Sequence, residues 1–152
     1  IKKEFSRIMS LKDGSKKMSK SELSDLSRIN LTDSKDEIIN KIKKAKTDPF
    51  PMPTDIKELD NRLEAKNLLG IYSSLTNSSL KNSLEIFAGK NFSEFKEMLI
   101  DQLVTKINPI SNEIKNLLND QTHLDKILQE GVEKADKIAS KKIKKIKEIV
   151  GF

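Results

Sequence analysis

Ser93-Glu94-Phe95-Lys96-Glu97-Met98-Leu99-Ile100-Asp101-Gln102-Leu103-Val104-Thr105-Lys106-Ile107 is the stretch on which the fold turns. Phe95, Met98, Leu99, Leu103 and Ile107 recur at three- and four-residue steps, the spacing that gathers side chains on one face of an α-helix. The same pattern runs on through Ile110, Ile114, Leu117 and Leu118. Pro109 lacks an amide hydrogen and crowds the preceding turn, so it predicts a break or kink just after Ile107. Beyond it, a helix starting at a Thr122 cap carries Leu124, Ile127, Leu128, Val132, Ala135, Ile138, Ala139, Ile143 and Ile146 to Gly151. Its small residues Gly131, Ala135 and Ala139 would admit a close helical neighbour.

Upstream, the helical reading continues. Ala65, Leu68, Leu69, Tyr72 and Leu75 form one apolar face, and Asn77-Ser78-Ser79 breaks it. A short helix through Leu80, Leu84 and Phe87 ends near Gly89, a suitable position for a left-handed cap. Ser34-Lys35-Asp36-Glu37 has the form of a capping box and opens a helix over residues 35–46, with Ile38, Ile39, Ile42 and Ala45 as its stripe. Pro49, Pro51 and Pro53 then impose an extended, poorly hydrogen-bonded connection, the clearest linker in the chain. Residues 1–33 have weaker periodicity: Gly14 and five serines between Ser15 and Ser27 predict loop and short turns, and Arg28-Ile29-Asn30-Leu31 permits a brief strand. The fold class is mainly α, a helical bundle preceded by a loop-rich segment. No internal repeat is visible.

Composition narrows the function classes. A chain of 152 residues is near the modal size of one domain and buries roughly 70% of its unfolded surface. There is no cysteine, which excludes disulfides, thiolate metal sites and cysteine nucleophiles, and fits a reducing compartment. No apolar run approaches the roughly 20 residues of a bilayer span, and the first residues do not lead into a signal-peptide core, so the default setting is the cytoplasm without a membrane. The chain starts at Ile1, in what reads as folded sequence, and a part upstream is expected. Lys and Arg total 29 against 23 Asp and Glu, a net charge of +6. Seven lysines (Lys134, Lys137, Lys141, Lys142, Lys144, Lys145 and Lys147) crowd the last helix, which is either a solvated face or a surface for a polyanion. The single histidine, His123, has no second ligand to complete a metal site and reads as a surface residue at a helix start.

The loop Gly14-Ser15-Lys16-Lys17-Met18-Ser19-Lys20-Ser21 carries the chemistry. The ammonium groups of Lys17 and Lys20, interleaved with the Ser19 and Ser21 hydroxyls and with backbone N–H groups, can surround phosphate oxygens with charge and donors. Such a loop can close as negative charge builds on a leaving pyrophosphate. A generic lysine-serine turn of this kind is most often a solvated surface feature.

The pentapeptide Lys17-Met18-Ser19-Lys20-Ser21 resembles the KMSKS loop of class I aminoacyl-tRNA synthetases. Arg7-Ile8-Met9-Ser10-Leu11 before it resembles bacterial and organellar tryptophanyl-tRNA synthetases in particular. So do Lys41-Ile42-Lys43-Lys44-Ala45-Lys46-Thr47-Asp48, Asn67-Leu68-Leu69-Gly70-Ile71-Tyr72-Ser73-Ser74-Leu75, and residues 130–140, in the family's order. The resemblance implies the C-terminal part of such an enzyme. Residues 1–33 would be the remnant of a Rossmann-type catalytic domain, and residues 34–152 a helical anticodon-binding region. It further implies that Lys17, Met18, Ser19, Lys20 and Ser21 bind the ATP phosphates, with Lys17 and Lys20 as the catalytic cations, and that the backbone of Ile8 and Met9 lies beside the adenine. The implied partners are ATP with magnesium, L-tryptophan and tRNA(Trp), the basic last helix touches RNA backbone, and the complete enzyme is a homodimer. The family's HIGH-like motif needs a histidine closely followed by glycine, whereas His123 precedes Leu124-Asp125. This piece alone is therefore expected to make no adenylate. A stand-alone helical RNA-binding module is the alternative.

Overall fold

The structure, a computed structural model, describes residues 7–151; whatever the sequence reading places on residues 1–6 lies outside them. The described residues contain five α-helices and no strand beyond an isolated antiparallel bridge between Met9 and Lys17. The helices are α1 (Lys35–Lys43), α2 (Leu63–Leu75), α3 (Leu80–Phe87), α4 (Phe92–Asn119) and α5 (Gln121–Val150). No described helix is long and apolar enough to cross a membrane. The chain divides into two compact units, one ending at Ser111 and one beginning at Asn112. This division does not fall at the expected 33/34 boundary.

Helix α1 starts where its capping box predicts. The Ser34 hydroxyl accepts from the Glu37 amide at 3.3 Å, and the Glu37 carboxylate accepts from the Ser34 amide at 2.7 Å. It ends at Lys43, before the expected residue 46, because its last groups are claimed from outside. The Lys46 amide donates to the Leu11 carbonyl at 2.8 Å. The Lys96 ammonium donates to the carbonyls of Lys43 and Ala45 at 3.1 and 2.7 Å, a cation at the negative end of the helix. Burial holds the Lys96 ammonium below its ordinary pKa.

Helix α2 is the centre of the first unit. Ala65, Leu68, Leu69, Ile71 and Tyr72 are buried, and Gly70 and Ser73 with them, so burial extends well round the helix beyond one stripe. Asn77 takes a left-handed conformation (φ +56°) and Ser79 caps α3, which accounts for the predicted break. Tyr72 packs edge-on to Phe87 with ring centroids 4.8 Å apart, and Phe87 packs in the same way on Phe95 at 4.8 Å. Around these rings lie Ile38 and Ile42 of α1, and Leu99 and Leu103 of α4.

Two expectations need correction. The proline-rich segment is a packed strap, not a loose linker. Met52 is buried, its amide donates to the Lys90 carbonyl (2.8 Å), and its carbonyl accepts from Gly89 (3.0 Å). Arg62 closes the strap with two bonds to the Asp48 carboxylate (2.8 and 2.6 Å) and others to the Pro51 and Phe50 carbonyls. A 3-10 run, Ile56–Asn61, follows it, capped by Asp55. Of the break or kink expected at Pro109, the break is absent: α4 is continuous from Phe92 to Asn119. The proline removes only the bond to the Thr105 carbonyl. Two residues on, the fully buried Ser111 hydroxyl donates to the Thr32 carbonyl at 3.1 Å and ties the post-proline turn to the segment before α1.

The second unit is the end of α4 and α5, separated by Asp120. Asp120, not Thr122, is the cap, accepting from the His123 amide at 3.0 Å. Gly151 closes α5 in the left-handed region (φ +83°), as its position predicts. Helix α5 buries none of its residues: Ile138 is 68% and Ile146 57% exposed, and the space beside Gly131 is open.

Candidate functional site

The loop is built by pairing its entrance with its own start. The Met18 amide donates to the Ile8 carbonyl (3.0 Å) and the Ser10 amide to the Lys16 carbonyl (2.8 Å), which closes residues 10–16 into a hairpin-like turn. Asp13 organises the tip by accepting from the Ser15 amide (3.0 Å) and hydroxyl (2.6 Å), and these bonds hold its carboxyl below the ordinary range.

Gly14 sits against the backbone at the start of α2. A Cβ there would lie 2.8 Å from the Leu63 carbonyl carbon and the Glu64 nitrogen, neither of which can swing aside. Gly14→Ala is therefore expected to push the turn off α2 and lower stability by about 1–3 kcal/mol, read as a lower urea midpoint at unchanged slope.

Asn67 of α2 clasps the incoming limb. Its side-chain oxygen accepts from the Met9 amide (2.9 Å) and its side-chain nitrogen donates to the Met9 carbonyl (2.8 Å), so an amide side chain takes the place of a neighbouring strand. Leu11 is buried, and its amide donates to the Ser27 carbonyl at 2.9 Å. The outgoing limb runs through the 3-10 turn Asp25–Ser27.

Between the limbs lies an open cleft of about 730 Å³. Ile8, Lys17, Met18, Ser19 and Lys20 line it together with Arg7, Arg28, Asn30 and Thr32. Of the residues singled out from sequence, Ile8, Lys17, Met18, Ser19 and Lys20 thus share one cleft. Met9 is half-buried on the other side of the limb, beside a second hollow of about 240 Å³, and Ser21 stands at the exposed turn, where its amide donates to the Ser19 hydroxyl at 3.2 Å. Lys17 and Lys20 are exposed, and among the described residues neither has a carboxylate within ion-pair distance. Unpaired cations beside backbone donors and hydroxyls suit a polyanion. Among the described residues no group of three histidine, aspartate or glutamate side chains could hold a metal ion.

Residues 28–31 form no strand. Arg28 turns back, its guanidinium donating to the Glu22 carbonyl (2.8 Å) and pairing with Asp25 (2.9 Å). Asp25 also pairs with Lys41 of α1 at 2.6 Å, and Lys41 with buried Asp33 at 2.6 Å. These side chains were not legible as a site, because their partners are remote or irregularly spaced. Burial pulls the Lys41 ammonium down, but its bonds to Asp25 and Asp33 outweigh that and leave its pKa raised; the same bond, first among its causes, holds Asp25 low. Glu64 is likewise held low by Lys46. Carboxyls depressed in the folded state contribute stability above their unfolded pKa of about 4 and lose it as pH falls through the folded value. Tm should therefore stay level from pH 7 to 5 and drop below about pH 4, with Glu64→Gln blunting the drop in an acid titration.

Residues 3–109 match the family described as tRNA synthetases class I (W and Y). The tryptophan--tRNA ligase of Agrobacterium fabrum is 50% identical over 146 residues, covering 96% of this chain and 41% of the relative. That of Rickettsia felis is 47% identical over 152 residues, covering 100% of this chain and 46% of the relative. The crystal structure of tryptophanyl-tRNA synthetase from Campylobacter jejuni aligns with a TM-score of 0.73 at 26% identity, over 96% of this chain and 44% of that one. The chain spans less than half the length of the curated relatives it matches. With the synthetase family covering the loop, the cleft and most of the helical core, this chain belongs to the class I tRNA synthetases of the tryptophan and tyrosine group, and within it is similar to the tryptophan enzymes.

Proposed function

We propose that this chain is the C-terminal portion of a tryptophan-tRNA ligase, which activates tryptophan with ATP and passes it to tRNA(Trp). Residues 1–33 are the end of the Rossmann-type catalytic domain, and residues 34–152 the helical anticodon-binding region. The observation that carries the reading is the cleft in which Lys17 and Lys20 stand exposed among Met18, Ser19 and the Ile8 backbone, in a chain half identical to tryptophan--tRNA ligases. Those relatives do not favour the alternative of a stand-alone RNA-binding module.

In the activation step an oxygen of the tryptophan carboxylate attacks the α-phosphorus of ATP. The bond from that phosphorus to the bridging oxygen breaks, and pyrophosphate leaves with its magnesium. No side-chain nucleophile takes part, so the chain contributes position and charge. Lys20 and Lys17 neutralise charge growing on the leaving pyrophosphate, Ser19, Ser21 and the Met18 amide supply donors, and the backbone of Ile8 and Met9 lies against the adenine. The indole pocket and the histidine-containing ATP motif belong to the part of the enzyme outside this chain.

Lysines along α5, among them Lys134, Lys137, Lys141, Lys144 and Lys145, are all exposed and meet the tRNA backbone. That contact predicts affinity that falls steeply as salt rises. The complete enzyme works as a homodimer in the cytoplasm. The test is aminoacylation by the full-length protein. Charging of tRNA(Trp) with tryptophan is expected; charging with tyrosine in its place, or none at all, would sink the reading.

A further inference from the structure

Helix α1 places one lysine where surface helices rarely carry one. Lys41 is 3% exposed, and its ammonium lies 2.6 Å from a carboxylate oxygen of Asp25 and 2.6 Å from one of Asp33. Asp33, also buried, is fixed in turn by the Asn30 amide (2.8 Å) and the Asn30 side chain (3.1 Å). Arg28 pairs with the other Asp25 oxygen at 2.9 Å, so two cations and two carboxylates form a neutral, closed set. A buried ion is tolerated only when its partners are supplied in this way.

What the set holds is the end of the loop. Arg28 donates to the carbonyl of Glu22, the residue directly after Ser21, at 2.8 Å. Arg28 and Asn30 themselves line the cleft that holds Lys17 and Lys20. A chain of contacts thus runs from α1, through Lys41, Asp25 and Arg28, to the backbone on which the loop turns.

We propose that Lys41 is a positioning residue for the phosphate loop: through Asp25 and Arg28 it fixes the outgoing limb at Glu22, so that only residues 17–21 are free to move over the cleft. The role rests on the reading of that loop as a phosphate binder, but the anchoring can be tested without it. The anchor comes from the first helix of the region assigned to tRNA, which gives that region a non-covalent hold on the loop.

The test uses amide hydrogen exchange on the 152-residue chain, with Asp25→Asn as the main variant because it cuts the link while leaving the buried Lys41–Asp33 pair in place. Exchange at the Ser27, Arg28 and Asn30 amides, which donate to the Ser24 and Asp25 carbonyls and the Asp33 carboxylate, should rise about tenfold while α2 and α3 keep their protection. Lys41→Met should do the same, and the double variant should exchange no faster than the single ones, as members of one chain of contacts do. Affinity for inorganic pyrophosphate should fall in parallel. Unchanged exchange at the Ser27, Arg28 and Asn30 amides in Asp25→Asn, or an equal rise throughout the molecule, would overturn the proposal. Should the unsubstituted chain bind no pyrophosphate while the local exchange response holds, the anchor stands and the phosphate reading is what fails.

Discussion

Lys20→Ala in the complete ligase is expected to lower kcat for tryptophan-dependent pyrophosphate exchange by about 10²–10³-fold, the cost of removing one preorganised charge from a developing anion. The argument rests on where the side chain is and on what it lacks. Lys20 is exposed at the cleft, and among the described residues no carboxylate competes for it. Its charge is therefore available to a ligand, and its loss leaves the fold untouched, so Tm should not move. The interaction strengthens as charge shifts onto the pyrophosphate, so the loss should appear in kcat more than in the KM for ATP. A KM effect alone would mean that the lysine binds ATP equally well before and during bond breaking. Lys20→Arg should recover only part of the rate, because a planar fork does not replace a compact ammonium.

The second large effect is on stability. Phe95→Ala removes a ring with no solvent exposure that touches Phe87 at 4.8 Å, Tyr72 at 6.3 Å and Phe92 at 6.4 Å between centroids. The lost transfer free energy and the cavity left behind together cost about 3–5 kcal/mol, a large part of the roughly 5–15 kcal/mol that holds a domain of this size folded. Urea denaturation followed by far-ultraviolet circular dichroism should show the midpoint fall accordingly. Phe95→Leu, which keeps most of the volume, should lose much less. The loop is held to this core through Asn67 on Met9, so the alanine variant should also loosen the cleft.

How much was legible beforehand depended on whether the signal was local. The capping box of α1, the apolar face of α2, the break at Asn77-Ser78-Ser79 and the Gly151 cap each lie within a few residues, and all are present. The proline strap was misread because the group that satisfies its carbonyls, Arg62, lies 11 and 12 residues beyond the carbonyls it binds. Pro109 interrupts no helix, because one lost helical bond does not outweigh the apolar face that continues on both sides of it. The loop residues Lys17 and Lys20 stood out through the string Lys17-Met18-Ser19-Lys20-Ser21 and its family resemblance, since a generic lysine-serine turn reads as solvated surface. Asn67, 58 residues from Met9 in sequence, and the Lys41 set gave no periodic sign, since a buried polar contact between distant segments leaves no pattern in either. The apolar residues of α5 lie uncovered, since periodicity reports a face and not what covers it.

The central claim is that this chain supplies the pyrophosphate-side cations of an adenylate-forming site whose remaining parts lie elsewhere. Tryptophan-dependent exchange of labelled pyrophosphate into ATP tests it most directly, run on the 152-residue chain and on the full-length protein side by side. Exchange by the full-length protein and none by the chain alone is the expected result; measurable exchange by the isolated chain would contradict the account.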